Sequence, residues 1–410
     1  MHIDNIYTAV VKRLNFASIK YLILIKSMNG LYIHIPFCGK VCDYCDFSVL
    51  AAPSRLYEEY VTLVLEEAKI RFTMDPSFLG RIQTVYLGGG TPSILPALLM
   101  KKMLSGLSEL GVPFSQIQEF TMEVNPESAI VERLENAMDF GVDRFSLGLQ
   151  SLDDSLLQKI GRSHTVKVGM EALERLILLS SRGIRVSADL MFQLPNQTVE
   201  NFVSDVRFLA SSGVGHISFY GLNVAPHTVL GTHVRKGLLE IPEDLYRDMY
   251  NGGVVALETA GFHRYEVSNF AKPREESIHN QNYWNLGEYW GLGPGAHSFQ
   301  NNMRFAGPQT YAVWRNWVRE GCPHKALDLD PIGKKERIFE KVWLSLRQES
   351  GLDLDALAKE ENVSIASKTL LPLIEKKWIE KEANQVRLVG DGWVMMDSVV
   401  EALIPHNIPT

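Results

Sequence analysis

The stretch Leu31-Tyr-Ile-His-Ile-Pro-Phe-Cys38-Gly-Lys-Val-Cys42-Asp-Tyr-Cys45 joins a short apolar strand to a loop that carries three cysteines. The chain of 410 residues has only four cysteines in all, so this clustering indicates a dedicated binding loop. Cysteine thiolates are the usual ligands of iron–sulfur clusters. Because three thiolates leave one iron of a 4Fe–4S cluster open to a substrate or a second cofactor, the loop predicts a chemically active cluster held by Cys38, Cys42 and Cys45.

Three other interpretations of this loop are open. A structural zinc site needs four closed ligands, and the nearby candidates for the fourth are His34 and Asp46. A thioredoxin-like pair formed by the last two cysteines leaves the first one unexplained. A disulfide leaves one thiol over, and so few cysteines are typical of a reducing compartment. The remote Cys322 is interpreted as an ordinary structural cysteine.

The composition is that of a soluble globular protein, with 46% hydrophobic and 22% charged residues. The length exceeds one average domain, so a large domain and a smaller one are expected. A net charge of −7 gives no electrostatic footprint for nucleic acid. No apolar run approaches the ~20 residues of a membrane span. We therefore predict a cytoplasmic protein without a transmembrane segment, and peripheral membrane contact stays open.

The first 27 residues resemble neither a signal peptide nor the start of a domain. They carry four basic residues against one acid, and a second methionine, Met28, stands three residues before Leu31. We interpret residues 1–27 as an upstream extension, with an amphipathic or targeting helix as the second option.

From Leu31 onward, short apolar strands alternate with amphipathic helical stretches. This alternation predicts an α/β fold with a parallel sheet and helical crossovers. Six units suit a partial (β/α)6 barrel of TIM type, with its chemistry at the carboxyl ends of the strands. The predicted strands are Leu31–Ile35, Gln83–Leu87, Glu119–Val124, Arg144–Leu149, Arg185–Met191 and His216–Gly221. The predicted helices between them are Leu56–Phe72, Ala97–Leu110, Ser128–Phe140, Val168–Ser180 and Val199–Ala210.

Unusual polar or glycine-rich clusters follow the first five strands, all on the same predicted edge of the barrel. The loop Gly88-Gly-Gly-Thr91-Pro92 can bring its backbone close to a ligand because glycine lacks a Cβ, although a plain tight turn explains it as well. It lacks the ending of a P-loop. The other clusters are the cysteine loop, Glu123-Val-Asn125-Pro126, Gly148-Leu-Gln150-Ser151 and Asp189.

After about residue 225 the pattern changes. We divide the chain into the extension 1–27, a core barrel at 28–225, a connecting and substrate-binding region at 226–328, and a C-terminal domain at 329–410. Three helices and a hairpin predict a small α+β winged-helix-like domain, whose mixed charges argue against DNA binding. Its predicted elements are helices Glu336–Arg347, Leu354–Lys359 and Ser364–Lys377 and strands Val386–Val389 and Gly392–Met396.

Taken together, the cysteine loop, the Gly-Gly-Gly-Thr-Pro loop and the Glu-Val-Asn-Pro motif resemble the radical S-adenosylmethionine (SAM) superfamily. Arg144-Phe-Ser-Leu-Gly-Leu-Gln-Ser and Gly161-Arg162-Ser-His add to the match. Within the superfamily, the chain looks like the group of oxygen-independent coproporphyrinogen III dehydrogenase (oxidase) and its relatives. The resemblance covers the chain from about Leu31 to the C-terminus.

The resemblance implies that SAM chelates the open iron of the cluster and is surrounded by residues from several strands. Gln193 and Asn196 stand where the family usually has glycine, and we expect them to narrow the SAM pocket or shift its loop. The implied contacts are Tyr32 and Tyr44 beside SAM, Gly89, Gly90 and Thr91 at its amino end, Glu123 at the ammonium or a ribose hydroxyl, Arg162 at the carboxylate, Gln150 and Asp189 at the ribose, and Asn223 and His297 on the adenine side.

One position distinguishes two branches of this group. The dehydrogenase has a further cysteine two residues after the third cluster cysteine, where this chain has Phe47. The motifs His279-Asn-Gln-Asn-Tyr283-Trp284 and Gly293-Pro-Gly-Ala-His297-Ser resemble the HemW-like branch of haem chaperones. The resemblance then implies a haem ligand, for which His279 is the candidate, with His34 and His324 as further ones.

Two functions follow from this resemblance. In the first, the protein binds haem or a related porphyrin and delivers it to haemoproteins, with an electron donor for the cluster. In the second, a 5′-deoxyadenosyl radical formed from SAM abstracts hydrogen from a propionate of coproporphyrinogen III. Phe47 and the His279 motif favour the first.

Overall fold

The computed structural model describes residues 29–323 and 327–404. The extension 1–27 and His324 lie outside these described residues. Among the described helices, none is both long and apolar enough to cross a membrane.

Six parallel strands form the body of the sheet, in the order β1-β4-β5-β6-β7-β8. Each overlaps a strand predicted from the sequence, and the partial TIM-type barrel is confirmed. Sequential parallel neighbours require helical crossovers, and the helices lie on the outer face. The strands are β1 (Asn29–Ile35), β2 (Phe37–Cys38), β3 (Leu50–Ala51), β4 (Ile82–Gly89), β5 (Glu119–Val124), β6 (Arg144–Gln150), β7 (Arg185–Phe192) and β8 (His216–Gly221). The helices are α1 (Arg55–Met74), α2 (Pro76–Leu79), α3 (Ala97–Glu109), α4 (Val131–Asp139), α5 (Asp154–Lys159), α6 (Val166–Ser180) and α7 (Val199–Ser211).

The sheet continues past both edges of the barrel, in the region predicted to connect the barrel to the C-terminal domain and to bind substrate. β10 pairs antiparallel with β8, and β11 pairs parallel with β1. Strands β12, β13 and β14 then extend the sheet as an antiparallel ladder. The elements of this region are α8 (Val229–Arg235), α9 (Tyr246–Thr259), β9 (His263–Glu266), β10 (Asn269–Ala271), α10 (Ile278–Trp284), β11 (Tyr289–Leu292), β12 (His297–Gln300), β13 (Met303–Ala306), α11 (Tyr311–Arg319) and β14 (Asp328–Pro331).

The C-terminal part packs helices α12, α13 and α14 against a small three-stranded sheet of order β15-β17-β16, as in a winged-helix outline, and a fourth helix, α15, packs against α12 and α14. The strand predicted at Gly392–Met396 is wrong. The chain makes a tight turn at Gly390–Gly392 and then starts a helix, while the hairpin partner lies before the turn. The elements are α12 (Lys334–Leu346), β15 (Leu352–Asp353), α13 (Leu354–Glu361), α14 (Ser367–Glu375), β16 (Ile379–Glu382), β17 (Gln385–Leu388) and α15 (Met396–Leu403).

A buried carboxylate fixes the added strands to the barrel. Glu67 of α1 is 1% exposed and accepts hydrogen bonds from the Gly293 amide and the Trp314 indole nitrogen, both at 2.9 Å. A buried carboxylate must be paired or hydrogen-bonded to be tolerated. This contact therefore holds the turn after β11 and helix α11 at a defined place beside the cysteine loop.

Candidate functional site

The cysteine loop leaves β1 at the carboxyl edge of the barrel. Cys38 ends β2, which pairs with β3, and the Cys45 amide donates to the Cys42 carbonyl at 3.1 Å. All three thiols are partly exposed. Burial raises the pKa of Cys38 to about 11 and also raises that of Cys45. Iron binds the thiolate, and the charge of a bound cation would offset the burial that disfavours the thiolate forms of Cys38 and Cys45.

The glycine loop after β4 lies directly against the cysteine loop. The Gly90 amide donates to the Ile35 carbonyl and the Thr91 amide to the Phe37 carbonyl, both at 2.8 Å. A Cβ on Gly90 would stand 2.6 Å from the Phe37 oxygen and 3.0 Å from the Cys38 sulfur. Glycine is therefore required here for the two loops to meet, and the Thr91 hydroxyl lies 3.7 Å from the Cys38 sulfur.

A chain of hydrogen bonds connects the cysteine loop to the ends of β5 and β6. Arg162 reaches the Cys42 sulfur at 3.6 Å, the Gly148 carbonyl at 2.7 Å and the Asn125 side-chain oxygen at 3.1 Å. The amide nitrogen of Asn125 donates to the Thr91 hydroxyl at 2.8 Å. Asn125 belongs to the motif after β5 but is not among the residues predicted to contact SAM. Asn125 directly follows β5, and this place at the carboxyl end of a strand is the sequence signal that could have identified it.

Below the cysteine loop, a cavity of about 440 Å³ opens into the barrel. We call it the barrel cavity. It brings together residues from five parallel strands, β4 to β8, and from the cysteine loop. Those predicted to contact SAM that line it are Tyr44, Glu123, Gln150, Asp189 and Asn223.

Two carboxyl groups in the barrel cavity have raised pKa values. Burial raises the pKa of Glu123 to about 7, opposed by a hydrogen bond from the Tyr86 hydroxyl at 2.8 Å and reinforced by the charge of Asp189. Burial likewise raises the pKa of Asp189 to about 6, opposed by hydroxyl donors that include Ser146 at 2.9 Å. A cationic ligand group would favour the charged form of both, so this wall suits an ammonium or sulfonium group.

The floor of the barrel cavity is a buried ion pair. Arg144 Nε lies 3.1 Å from Glu119 Oε2, and both residues are at most 1% exposed. Burial opposes the charge of Glu119, but Arg144 and Arg185 lower its pKa to about 2. Glu119 also accepts a hydrogen bond from the His279 amide at 2.8 Å. The pair therefore closes the barrel and fixes the start of α10.

A second and larger cavity, of about 950 Å³, lies on the other side of the cysteine loop. We call it the aromatic cavity, because aromatic rings from the loop, the added strands and the C-terminal part line it. Asp46 and Phe47 line both cavities, and Phe47 is 66% exposed. The aromatic rings in its lining include Phe47, Tyr283, Trp284, Tyr289, Phe299 and Trp343.

Several of the residues predicted to bind SAM or haem do not line the barrel cavity. Gly89, Gly90, Thr91 and Arg162 belong to the glycine loop and the hydrogen-bond chain beside the cysteine loop, and Tyr32, His279 and His297 lie elsewhere. Tyr32 and His297 line the aromatic cavity instead. His279 is fully buried, and its ring nitrogens are within hydrogen-bonding distance of the Thr84 hydroxyl at 2.8 Å and the Tyr283 hydroxyl at 2.7 Å. Burial lowers its pKa to about 4. In this structure the His279 ring is a hydrogen-bonded core group and does not reach either cavity.

The loop geometry bears on the zinc interpretation. Among the described residues, no three His, Cys, Asp or Glu side chains are arranged to hold one metal ion. Each thiolate of a 4Fe–4S cluster binds a different iron, so its ligands need not converge on one point. The ring of His34 is engaged at 2.8 Å by the Ser48 carbonyl and at 3.1 Å by the Tyr32 hydroxyl. His34, the histidine candidate for a fourth zinc ligand, therefore has both ring nitrogens engaged.

Comparison with known proteins agrees with this geometry. A family model of the radical SAM superfamily matches residues 32–209. The heme chaperone HemW of Lactococcus lactis is 31% identical over 390 residues, which cover 94% of this chain and 100% of that protein. The heme chaperone HemW of Bacillus subtilis is 33% identical, with 92% of this chain and 99% of that protein covered. The chain belongs to the HemW family of radical SAM proteins.

A solved structure shares the fold of this HemW-family chain. Coproporphyrinogen III oxidase (HemN) from Escherichia coli superposes with a TM-score of 0.78 over 96% of this chain and 94% of that one. At 18% identity, this likeness concerns the fold alone. Membership of the radical SAM superfamily implies a 4Fe–4S cluster and SAM as cofactors. The three thiols, the glycine loop and the paired carboxyl groups form a donor set that fits both.

Proposed function

We propose that this protein is a haem chaperone, which binds haem in the aromatic cavity and delivers it to haemoproteins. The observation that carries the proposal is that the aromatic cavity meets the cysteine loop at Asp46 and Phe47. The curated relatives that match nearly the whole chain carry the name heme chaperone. The dehydrogenase-type cysteine is absent from position 47, which holds Phe47.

The cavity has the properties that a porphyrin needs. Small-molecule sites are concave, about 300–1,000 Å³ in volume, and lined mainly by apolar and aromatic groups. Tyr283, Trp284 and Phe299 supply flat apolar surface of this kind. Arg304 also lines the cavity and donates to Glu340 of α12 at 2.9 Å. A haem propionate would compete with Glu340 for this guanidinium.

The cofactors occupy the other side of the cysteine loop in this proposal. Cys38, Cys42 and Cys45 would hold the 4Fe–4S cluster, and the residues of the barrel cavity would hold SAM beside it. When bound, the pair supplies one-electron chemistry that no side chain can perform. The chain itself orients and shields them. Gly89, Gly90, Thr91 and Arg162 form the rim, while Tyr44, Glu123, Gln150, Asp189 and Asn223 form the wall.

The partners follow from this assignment. Haem is the cargo, a haemoprotein is the recipient, and a reduced protein supplies electrons to the cluster. The net charge of −7 argues against nucleic acid as a partner. We place the protein in the cytoplasm, where thiol ligands stay reduced.

Anaerobic reconstitution of the full chain, followed by two assays, tests the proposal. We expect hemin to bind in a 1:1 ratio and to transfer to apomyoglobin as a model recipient. We expect no conversion of coproporphyrinogen III when SAM and a reductant are supplied. Conversion with consumption of SAM would assign the dehydrogenase function instead.

The two sites can be separated by one variant. Cys42→Ala removes a cluster ligand but leaves the aromatic walls unchanged. We expect it to lose iron and sulfide while it still binds hemin. If hemin binding disappears together with the cluster, the aromatic cavity is not an independent haem site and the proposal is wrong in this respect.

A further inference from the structure

Histidines beside the aromatic cavity differ in whether their imidazole is available. The ring of His34 is 5% exposed, and hydrogen-bonding groups of Ser48 and Tyr32 contact both its nitrogens. The ring of His279 is fully buried, with hydroxyl groups at both nitrogens. To coordinate a metal ion, either ring would have to leave two hydrogen-bond partners behind in the core. Buried polar groups left without a partner are destabilising.

His297 is in a different situation. It is exposed and lines the aromatic cavity, and its side chain makes no hydrogen bond or ion pair with any other described residue. Its backbone is nevertheless fixed. His297 begins β12 and pairs with Ala306 of β13. Its carbonyl oxygen lies so close to Gly291 that a Cβ on that glycine would stand only 2.2 Å from it. The strand therefore presents a free imidazole from a rigid support.

The surroundings of His297 are those of a flat aromatic ligand. Phe299 lies two residues further along β12, on the same face of the strand, and both side chains line the cavity. Arg304 pairs with Phe299 across β12 and β13, so a cation stands on the same wall. An exposed imidazole, aromatic walls and a guanidinium are the three groups that haem needs for its iron, its ring and its propionates.

We propose that His297 is the axial ligand of the haem iron in the aromatic cavity. The inference rests on the proposed haem-binding function and reassigns a residue that the sequence motif suggested for SAM. The neutral imidazole donates a lone pair from one ring nitrogen to the iron. His279 then serves to support the cavity wall through Tyr283.

The test compares His297→Gly with His279→Ala in the full chain, using hemin as the probe. We expect His297→Gly to lose the absorption and EPR signature of a coordinated imidazole and to bind hemin at least about tenfold more weakly, since loss of even an outer-shell partner has that effect. Added imidazole should restore the spectrum, because the glycine leaves room for it. His279→Ala should keep the wild-type spectrum.

Each other outcome has a definite meaning. A His297→Gly variant with the wild-type spectrum would overturn the inference while leaving the haem chaperone function intact. The same holds if imidazole fails to restore the spectrum, or if His279→Ala loses the signature in a variant that remains folded by circular dichroism. If the wild-type chain binds no hemin, the proposed function itself fails.

Discussion

Gly90 and Cys38 lie so close together that a Cβ on the glycine would stand 3.0 Å from the cysteine sulfur and 2.6 Å from the Phe37 oxygen. The contact joins the glycine loop to the first cluster ligand. It also explains the glycine by geometry, without any ligand. We therefore expect the cysteine loop to depend on the glycine loop for its position.

Gly90→Ala should reduce the amount of cluster that the chain holds. The added methyl group meets backbone that cannot move cheaply, and overpacking of this kind costs about 1–3 kcal/mol. The measurement is iron and sulfide per chain after anaerobic reconstitution. Gly39→Ala is the matched control, because a Cβ there has no atom within 4 Å although Gly39 is next to Cys38. Equal iron contents in the two variants would contradict the prediction.

A second prediction concerns the pH dependence of SAM binding. The pKa of Glu123 in the ligand-free protein is raised to about 7, so most of the carboxyl is protonated at pH 6. A cationic group of SAM favours the carboxylate, and binding below pH 7 must first remove this proton. We expect the affinity for SAM to fall by up to about tenfold per pH unit below 7. Equilibrium dialysis of the anaerobic, reconstituted protein measures it.

Glu123→Gln should bind SAM more weakly at pH 8 and with a flatter dependence on pH. Asp205→Asn is the control, since Asp205 is a buried carboxyl outside the barrel cavity. The raised pKa of Glu123 affects the stability of the ligand-free protein in the opposite direction. The folded chain holds this proton more tightly than the unfolded chain, and the resulting gain in the free energy of unfolding is lost as pH rises from 4.5 through 7. An unchanged pH profile in Glu123→Gln would remove this carboxyl from the SAM site.

The barrel was predictable because its signals are local. Each parallel strand is a short apolar run, each helix has one apolar face, and the strand ends share one edge. The added strands were not predictable in this way. Tyr289–Leu292 and Met303–Ala306 are four residues long, and they become strands only because β1 offers a free edge to the first of them.

Backbone conformation explains another departure from expectation. Gln193 and Asn196, which stand where glycine is usual in the family, have φ values of 62° and 64°. The loop therefore needs the left-handed region that glycine enters freely and that asparagine tolerates. The Asn196 side chain turns outward to Lys159 at 3.1 Å, and neither residue lines the barrel cavity. We expected these side chains to narrow the SAM pocket or to shift its loop, and the effect on SAM binding stays a prediction.

The histidines show the limit of a motif. His279 and His297 both lie in motifs of the HemW-like branch, and their residue type is identical. Their environments differ because α10 packs against β4, which buries the ring of His279 against Thr84, whereas β12 presents His297 at the cavity. Tertiary packing sets this difference, and no local pattern encodes it.

A third prediction concerns His279 as a structural residue. His279→Ala removes a buried ring and leaves the Thr84 and Tyr283 hydroxyls without their partner. We expect a loss of about 2–4 kcal/mol in the free energy of unfolding. Urea unfolding followed by far-UV circular dichroism measures it. His227→Ala, at an exposed histidine, should change the stability by less than about 0.5 kcal/mol. If both variants change the free energy of unfolding by a similar amount, the buried ring of His279 does not stabilise the fold.

The last prediction concerns Phe47, the residue between the two cavities. Its ring is 66% exposed, so Phe47→Ala should hardly change stability or iron content. If haem packs against this ring, the substitution removes an aromatic contact worth about 0.5–1.5 kcal/mol, and hemin binding weakens by about two- to tenfold. Leu98→Ala is the matched control, since Leu98 is an apolar side chain that is 76% exposed on α3. Hemin titration compares them. Equal affinities would place the haem away from Phe47, and the aromatic cavity would then lose the contact that connects it to the cluster.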